Sequence, residues 1–339
     1  MTVTDTVFQE RKIKINRNDL IQKFAALAGL ILLVIVFSFT SDAFLTTNNG
    51  VTLALQTTSI AFLGFGATCV IITGGIDLSV GSVLALAGVI AGMAVKGGMP
   101  VAIAMALGVV AGGLCGLING LIITRLKLPP FIATLGMMMV ARGVALQITG
   151  ARPVSGLGDD FGELGNGALM RILDVGANGL PKVVFPGIPY PVIVMIVLAI
   201  AIAVLLMKTT FGRHLYAIGS NEEAARLSGV NVTRTKIGAY VLSGVLAGLC
   251  GCILMSRLVT AQPNEGVAYE LDAIASAVIG GTSLMGGVGT ISGTVIGAFI
   301  IGILRNGLNM NGVSSFIQMI TIGLVIIVTV WIDQMRNRR

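Results

Sequence analysis

Long apolar runs without any charge constrain this chain more than any other feature. Residues 25–39, 192–207 and 317–332 contain no Asp, Glu, Lys or Arg. A charge at the centre of a bilayer costs about 2.5–3.5 kcal/mol on insertion scales, and a helix of ~20 apolar residues spans the hydrocarbon. These runs are therefore predicted to be membrane-spanning helices rather than strands of a soluble core.

The same character extends over the whole chain of 339 residues, of which 55% are hydrophobic and 11% are charged. Soluble domains carry roughly 25% charged residues, so the sequence predicts an all-α polytopic membrane protein. Cutting at polar or Gly/Pro-rich breaks gives about ten transmembrane helices, over residues 24–43, 51–74, 79–95, 100–124, 130–150, 190–208, 237–256, 269–284, 288–304 and 315–332.

The distribution of Lys and Arg predicts the orientation. With a cytoplasmic N-terminus, fifteen of the 22 basic residues fall in cytoplasmic segments and six in outer segments. The positive-inside rule then favours both termini in the cytoplasm, which requires an even number of helices. The chain divides into a tail over 1–23, one transmembrane domain over 24–332 and a tail over 333–339. Two connections are long: an outer segment over 151–189 and a charged cytoplasmic segment over 209–236.

Several kinds of site lack the residues that would build them. The net charge of +7 comes from basic residues at the ends of apolar runs, with no stripe that nucleic acid could follow. Cys69, Cys115, Cys250 and Cys252 all lie in apolar runs, and His214 is the only histidine. No metal site is predicted, and a disulfide is disfavoured.

Glycine makes up 46 of the residues, and much of it recurs every four positions. Such spacing places small residues on one helix face, where they allow helix backbones to approach closely in lipid. A tightly packed, Gly-rich bundle is therefore predicted. The phased glycines are Gly108, Gly112, Gly116 and Gly120, then Gly244 and Gly248, and finally Gly289, Gly293 and Gly297.

A first polar segment, residues 73–82, interrupts the apolar pattern between the second and third predicted helices. Gly74 and Gly75 can break a helix, Asp77 can accept backbone N–H bonds, and Ser79 or Ser82 can cap the next helix. A buried charge is also a functional candidate by default. Two interpretations of Asp77 stay open: a cap in a tight turn, or a residue on a transport path.

A second polar segment, residues 269–287, has similar features. Glu270 and Asp272 are predicted to open a helix, where acidic side chains suit the helix dipole, and Gly280 with Gly281 is predicted to break it. Both segments contain Gly-Gly-x-x-Leu followed by another glycine, a pattern that hints at internal duplication of the kind found in transporters.

Four blocks of the sequence, in order, resemble the permease subunits of ATP-binding cassette importers for monosaccharides, most closely those of the ribose type. The blocks are GGIDLSVGS at 74–82, LPPFIATLGMMMVARG at 128–143, GSNEEAARLSGVNV at 219–232 and YELDAIASAVIGGTSLMGGVGTISGTVIGA at 269–298. The resemblance extends over nearly the whole chain from about residue 20. It implies a permease that carries ribose or a related sugar across a bacterial inner membrane into the cytoplasm.

The resemblance also implies partners. These are a cytoplasmic ATPase subunit that holds ATP and Mg, a periplasmic sugar-binding protein, and a second permease subunit, expected to be another copy of this chain. The chain itself contains no Gly-x-x-x-x-Gly-Lys-Ser/Thr loop, so no cofactor is expected on it and it is not predicted to be an enzyme. The outer segment over 151–189 matches the family least, so the sugar and the contacts with the binding protein stay open.

The stretch over 221–230 resembles the family's coupling segment, a short helix that fits a cleft on the ATPase. Its polar residues and alanines suit a short docking helix that Gly229 can end. The residues predicted to couple to the ATPase are Asn221, Glu222, Glu223, Ala224, Ala225, Arg226, Leu227 and Gly229.

Residues on a translocation path are harder to choose, because a neutral sugar needs only weak polar contacts. Arg142 could also reach the membrane surface or pair within the bundle, and the phenylalanines could simply pack. The candidates are Asp77, Asn119, Arg142, Gln147, Phe65 and Phe131.

The alternative function is an ion-coupled secondary transporter of a small polar solute, with Asp77 in its Gly-flanked break as the ion site. A channel or an intramembrane enzyme has less support, since neither a selectivity-filter sequence nor paired catalytic residues are found in the apolar segments.

Overall fold

The computed structural model describes residues 17–175 and 181–337. The predicted tails over 1–23 and 333–339 therefore lie partly outside the described residues. Thirteen helices and four short strands form in the described ranges. The helices are α1 (Arg17–Thr40), α2 (Thr47–Ile72), α3 (Val80–Lys96), α4 (Val101–Arg125), α5 (Pro130–Thr149), α6 (Asp159–Asn166), α7 (Tyr190–Lys208), α8 (Thr210–Ser220), α9 (Glu222–Leu227), α10 (Val232–Leu258), α11 (Tyr269–Ile279), α12 (Ile291–Met310) and α13 (Ser315–Asn337).

Each of the ten predicted apolar segments corresponds to one helix, although some ends differ. Within the described ranges, six helices are long and apolar enough to cross a membrane, namely α2, α4, α5, α7, α10 and α12. Shorter apolar stretches lie in α1, α3 and α13. The helix α11 ends at Ile279, five residues before the predicted end at 284, because Gly280 and Gly281 begin a non-helical loop there.

The centre of the bundle is α2, which is buried on every side from Thr57 to Ile72. A helix that is apolar all round is expected in such a position. The helices α10, α11 and α12 pack against it, and α3 and α4 pack against α10. The helix α10 begins at Val232 rather than at 237, so it extends into the predicted cytoplasmic segment.

Glycines lie where α4 and α10 meet. A Cβ added at Gly112 would come within 3.0 Å of backbone atoms of Gly244 and Gly248, a separation that real Cβ atoms essentially never show. A Cβ at Gly116 would meet the backbone of Tyr240 in the same way. These contacts require glycine because the two backbones touch each other directly.

The prediction of an all-α protein is wrong for the segment over 151–189, which also forms strands. The segment contains α6 and four strands: β1 (Ala168–Leu169) pairs antiparallel with β4 (Ile188–Pro189), and β2 (Ile172–Val175) with β3 (Pro181–Phe185). The strands are two to five residues long and flanked by Gly and Pro, so they carry little periodic signal. We call the end of the bundle that carries this segment, with α6 and β1–β4, the hairpin end. We call the end that carries α8 and α9 the α9 end.

Candidate functional site

The α9 end carries the segment that resembles an ATPase-coupling helix. The side chain of Asn221 accepts a hydrogen bond from the Ala224 N–H at 2.9 Å, which is a normal N-cap for α9. Gly229, with φ +84°, follows the end of the helix at Leu227. The short helix therefore has a defined start and a defined end.

One ion pair joins α9 to α10, and two more lie within α9. Lys236 donates to Glu222 at 2.6 Å, and Arg226 pairs with Glu222 at 3.2 Å and with Glu223 at 3.7 Å. The Lys236 side chain is only 17% exposed, so its pair with Glu222 is the better shielded of the three. Glu222 thus holds the helix in place, whereas Glu223 faces outward.

The apolar residues of α9 divide between two surfaces. Leu227 is 81% exposed, and Ala224 is also exposed. Ala225, predicted as part of the contact with the ATPase, is instead buried against Ile218 and Val232 of the same chain. This face of α9 packs on α8 and α10, so Ala225 supports the helix from within the chain, and its role in ATPase coupling stays a prediction.

The helix α8 contacts the end of α2 and the loop before α12 directly. A Cβ added at Gly219 would lie well within 3.0 Å of the Ile72 carbonyl oxygen and of the Gly287 nitrogen. Gly287 N also donates to Ile72 O at 2.9 Å, and the Tyr216 hydroxyl donates to Gly289 O at 2.7 Å. The end of α2, the loop before α12 and the end of α8 therefore meet at one point, which we call the Gly219 junction (Ile72, Gly219 and Gly287).

Gly74 and Gly281 lie in the two loops that leave this region. Gly74 has φ +76° just after α2 ends, and Gly281 has φ +96° just after α11 ends. Gly75, next to Gly74, packs against the Tyr240 hydroxyl, and Gly280 packs against the backbone of Gly293. A left-handed backbone conformation favours glycine, so these pairs end their helices where the sequence analysis places the breaks.

Asp77 is buried and fully engaged within the first polar segment and its neighbours. Its Oδ1 accepts from the Ser79 N–H at 3.0 Å and from the Ser79 hydroxyl at 2.6 Å, and its Oδ2 accepts from the Ser243 hydroxyl of α10 at 2.9 Å. Asn119 of α4 donates to the Ser79 hydroxyl at 2.9 Å. Asp77 therefore joins α10 and, through Ser79, α4 to the start of α3.

Ser79 does not cap α3 with its side chain, contrary to prediction. It occupies the N-cap position without a side-chain cap bond, because its hydroxyl is used by Asp77 and Asn119. Ser82 lies within the helix and does not cap it either. The Oδ1 atom of Asn119 and the Tyr240 hydroxyl are buried without a hydrogen-bond partner among the described residues.

The other path candidates lie apart from one another. Arg142 donates to the carbonyl oxygens of Pro263 and Glu265, both at 2.6 Å, so it ties α5 to the loop before α11. Gln147 is exposed on α5. Phe131 at the start of α5 is 50% exposed.

Phe65 is 0% exposed and packs in the main core. Phe65 therefore faces packed side chains in this arrangement, and its role as an apolar constriction stays a prediction. Its neighbour Gly64 packs against Ser276 and Thr294, which shows how closely α11 and α12 approach α2 at this level.

At the hairpin end, Asp272 of α11 pairs with Arg305 of α12 at 2.6 Å. Glu270 is half-buried, and Asp272 is 4% exposed at its side chain. Both acids lie in the first turn of α11, as predicted, whereas the pairing of Asp272 with Arg305 was not predicted. The sequence did offer a signal for this pair: Arg305 directly follows the predicted helix over 288–304, which contains no acid, so its partner had to lie on another helix.

The cysteines and potential metal ligands form no site in the described part of the chain. All four cysteines are buried with free thiols, and no group of three or more His, Cys, Asp or Glu residues is placed to hold a metal ion there.

Comparison with known proteins identifies the family. A family described as "branched-chain amino acid transport system / permease component" matches residues 49–330. The chain is 46% identical to the ribose import permease protein of Bacillus subtilis (strain 168), over 98% of this chain and 99% of that protein. It is 42% identical to the ribose import permease protein of Escherichia coli (strain K12), over 92% and 94% of the two chains.

The xylose transport system permease protein of Escherichia coli (strain K12) is 35% identical, over 94% of this chain and 93% of that protein. No solved structure matches the chain at a significant level. The match to the family covers most of the sequence and includes both polar segments and α9. The chain therefore belongs to this family of membrane permease components and acts as a transporter subunit rather than as an enzyme.

Proposed function

We propose that this chain is the permease subunit of a bacterial ATP-binding cassette importer that moves a monosaccharide, ribose or a close relative, into the cytoplasm. The near-full-length similarity to two ribose import permeases supports a sugar as the substrate. The similarity to a xylose permease supports a pentose as the class of sugar. The family's own description names branched-chain amino acids, whereas these near-full-length relatives are named for ribose and xylose. The similarity to importer permeases favours this function over ion-coupled transport.

The ATPase docks at the α9 end in this proposal, which makes that end cytoplasmic. The single observation that carries the assignment is α9 itself: a capped helix, anchored through Glu222 to Lys236, with Glu223 and Leu227 left exposed. A rigid helix with an exposed apolar side chain suits insertion into a cleft on a partner. Motion of the ATPase would then reach α2 and α12 through the Gly219 junction.

Ten crossings and two cytoplasmic termini fit this orientation. The six long helices and the shorter apolar helices α1, α3 and α13 supply nine crossings. The tenth is α11, whose eleven residues rise about 17 Å against the ~30 Å of the hydrocarbon core. The loop over 280–290, in which Gly280, Thr282, Ser283 and Gly289 are buried, completes it, since non-helical backbone is tolerated at membrane depth where it is buried in protein.

The remaining partners follow from the same orientation. The hairpin end faces the periplasm and receives the sugar-binding protein on α6 and the strands β1–β4. A second copy of this permease completes the translocation path. ATP and Mg are held by the ATPase, and this chain binds no cofactor of its own.

The docking assignment is tested by capture of the ATPase on purified permease. Changing Glu223→Ala and Leu227→Ala together removes an exposed charge and an exposed apolar side chain while keeping the Glu222–Lys236 pair. Burial of one leucine contributes about 1.5–3 kcal/mol, so capture is expected to weaken about tenfold or more.

The matched control is Asp160→Ala, an exposed acid on α6 at the hairpin end. It is expected to leave ATPase capture unchanged. Equal capture by the α9 double variant and the wild-type protein would contradict docking at α9. Loss of capture by the Asp160 variant as well would show that the assay reports general damage.

A further inference from the structure

A polar cavity of about 260 Å³ opens between α2, α10, α11, α12 and α13 toward the hairpin end. Small-molecule sites typically measure about 300–1,000 Å³, so this cavity suits a ligand at the small end of that range. It lies at the opposite end of the bundle from α9. In an importer oriented as proposed above, a solute would meet this end first.

The cavity contains polar groups that the protein leaves unused. The side-chain amides of half-buried Gln56 and exposed Asn309 line it and have no hydrogen-bond partner among the described residues. The Nε atom of Arg305, which also lines the cavity, is buried without a partner in the described part of the chain. Buried polar groups are normally paired, so the unpaired Nε of Arg305 points to a ligand or water that pairs with it, and the two amides are free to bind the same molecule.

The wall contains two arginines and one aspartate, because half-buried Arg257, which has no ion pair among the described residues, also lines the cavity. Asp272 and Arg305 form an ion pair at 2.6 Å, with the aspartate side chain 4% exposed and the arginine 40% exposed. The carboxylate bonds through Oδ2, which leaves Oδ1 able to accept a hydrogen bond. An anion bound at Arg305 would be repelled by the adjacent carboxylate of Asp272. Neighbouring hydroxyl groups of one neutral molecule could instead donate to Asp272 and accept from Arg305 at the same time.

An aromatic ring completes the wall. Tyr269 lines the cavity, and its hydroxyl donates to Glu265 at 3.3 Å, which holds the ring in place. Amides that both donate and accept, a balanced ion pair and a fixed ring together match a molecule with many hydroxyl groups and an apolar C–H face.

We propose that this cavity is a transient binding site for one neutral monosaccharide, occupied after release from the binding protein and before passage to the cytoplasm. The inference rests on the proposed function for its substrate class. It adds that a single permease chain holds the sugar, through Gln56, Asn309, Asp272 and Arg305. The ion pair joins α11 to α12, the two helices that flank the loop of the Gly219 junction.

The test is equilibrium binding of radiolabelled ribose and xylose to the full-length permease in lipid nanodiscs, with and without its ATPase. The wild-type protein is expected to bind ribose weakly but saturably. The double variant Gln56→Ala, Asn309→Ala removes two amides that bond to nothing else in the described protein, so it should fold. It is expected to weaken ribose binding about tenfold.

The matched control is Asn48→Ala, which removes an exposed amide from α2 outside the cavity. Its ribose affinity should equal that of the wild-type protein. Ribose 5-phosphate serves as the anionic probe, and tighter binding of it than of ribose would overturn the assignment to a neutral sugar.

Failure of the site and failure of the proposed function give different results. Folded wild-type permease that shows no saturable binding of ribose or xylose, yet supports ATP-driven uptake of either sugar with its partners, would overturn the cavity site alone. Absence of uptake with both partners present would overturn the importer assignment. Unchanged affinity in the Gln56, Asn309 double variant would also reject the site.

Discussion

Gly219→Ala is expected to uncouple the ATPase from transport. Gly219 lies at the end of α8, where its backbone touches the last carbonyl of α2 and the loop before α12. An added methyl group collides with the Ile72 oxygen and the Gly287 nitrogen, two backbone atoms that cannot rotate away as a side chain could. The contact of α8 with the end of α2 and with the loop before α12 must therefore open.

The size of the effect follows from the nature of the collision. Adding a methyl group to a packed region costs typically about 1–3 kcal/mol when the backbone has to shift. The Ile72–Gly287 hydrogen bond at 2.9 Å lies inside the same contact, and its loss would add about 0.5–1.5 kcal/mol. At 1.4 kcal/mol per factor of ten, the arrangement described here is disfavoured by at least about fivefold.

The assay compares ATP-dependent uptake with ATP hydrolysis in proteoliposomes that contain the permease, the ATPase and the binding protein. The Gly219→Ala variant should lose at least about fivefold in sugar carried per ATP hydrolysed, while capture of the ATPase at α9 is retained. Gly136→Ala is the matched control, because a Cβ at that position in α5 meets nothing within 4 Å.

Alanine normally favours a helix over glycine by roughly 0.5–1 kcal/mol, so the Gly136 variant should be as active as the wild-type protein and slightly more stable. The reasoning is refuted if Gly219→Ala shows the same gain in stability and the same uptake per ATP as Gly136→Ala. That result would mean that the Gly219 junction accommodates the added methyl group without losing stability or coupling.

Three further predictions concern other parts of the structure. Ser243→Ala removes a hydroxyl that donates to buried Asp77, so the permease should lose about 1.5–3 kcal/mol of stability, measured as a lower thermal midpoint in detergent. Arg142→Gln releases the two carbonyl groups that it binds, so amide hydrogen exchange should increase in the loop over 260–268 but not in α10. The four native cysteines are buried, so an introduced cysteine should be the main site of reaction with impermeant maleimide. Leu227→Cys should react only from the cytoplasmic side and Leu169→Cys only from the periplasmic side. The reverse pattern would contradict the orientation.

The long helices were predictable because the bilayer requires long charge-free segments, and such segments are visible in one sequence. The breaks at Gly74 and Gly280 were equally visible, since few other residues end a helix in this way. The strands β1–β4 were not, because pairs of two to five residues broken by Gly and Pro have no regular period.

Contacts between residues far apart in the sequence were the main feature that could not be predicted. Asp77 stood out as a buried acid, but its partner Ser243 is 166 residues away and looks like any serine in an apolar helix. Asp272 and Arg305 are 33 residues apart and were assigned separately. Gly219 has no distinguishing local pattern, since only the approach of α2 and α12 makes its missing side chain necessary.

Ala225 shows the limit of a motif taken without its surroundings. Its segment was correctly predicted as a short helix, yet the sequence could not tell which face of that helix packs on its own chain. The structure places Ala225 inside and Leu227 outside. A docking surface therefore depends on the fold around the motif as well as on the motif itself.

The central claim is that this chain carries a monosaccharide inward using ATP hydrolysed by another subunit. The most direct measurement is uptake of radiolabelled ribose, xylose and other monosaccharides, with a branched-chain amino acid for comparison, into proteoliposomes with and without the ATPase and the binding protein. Uptake of a sugar that requires ATP and both partners is the predicted result. Uptake by the permease alone that follows a proton or sodium gradient, or uptake of the amino acid and of no sugar, would contradict it.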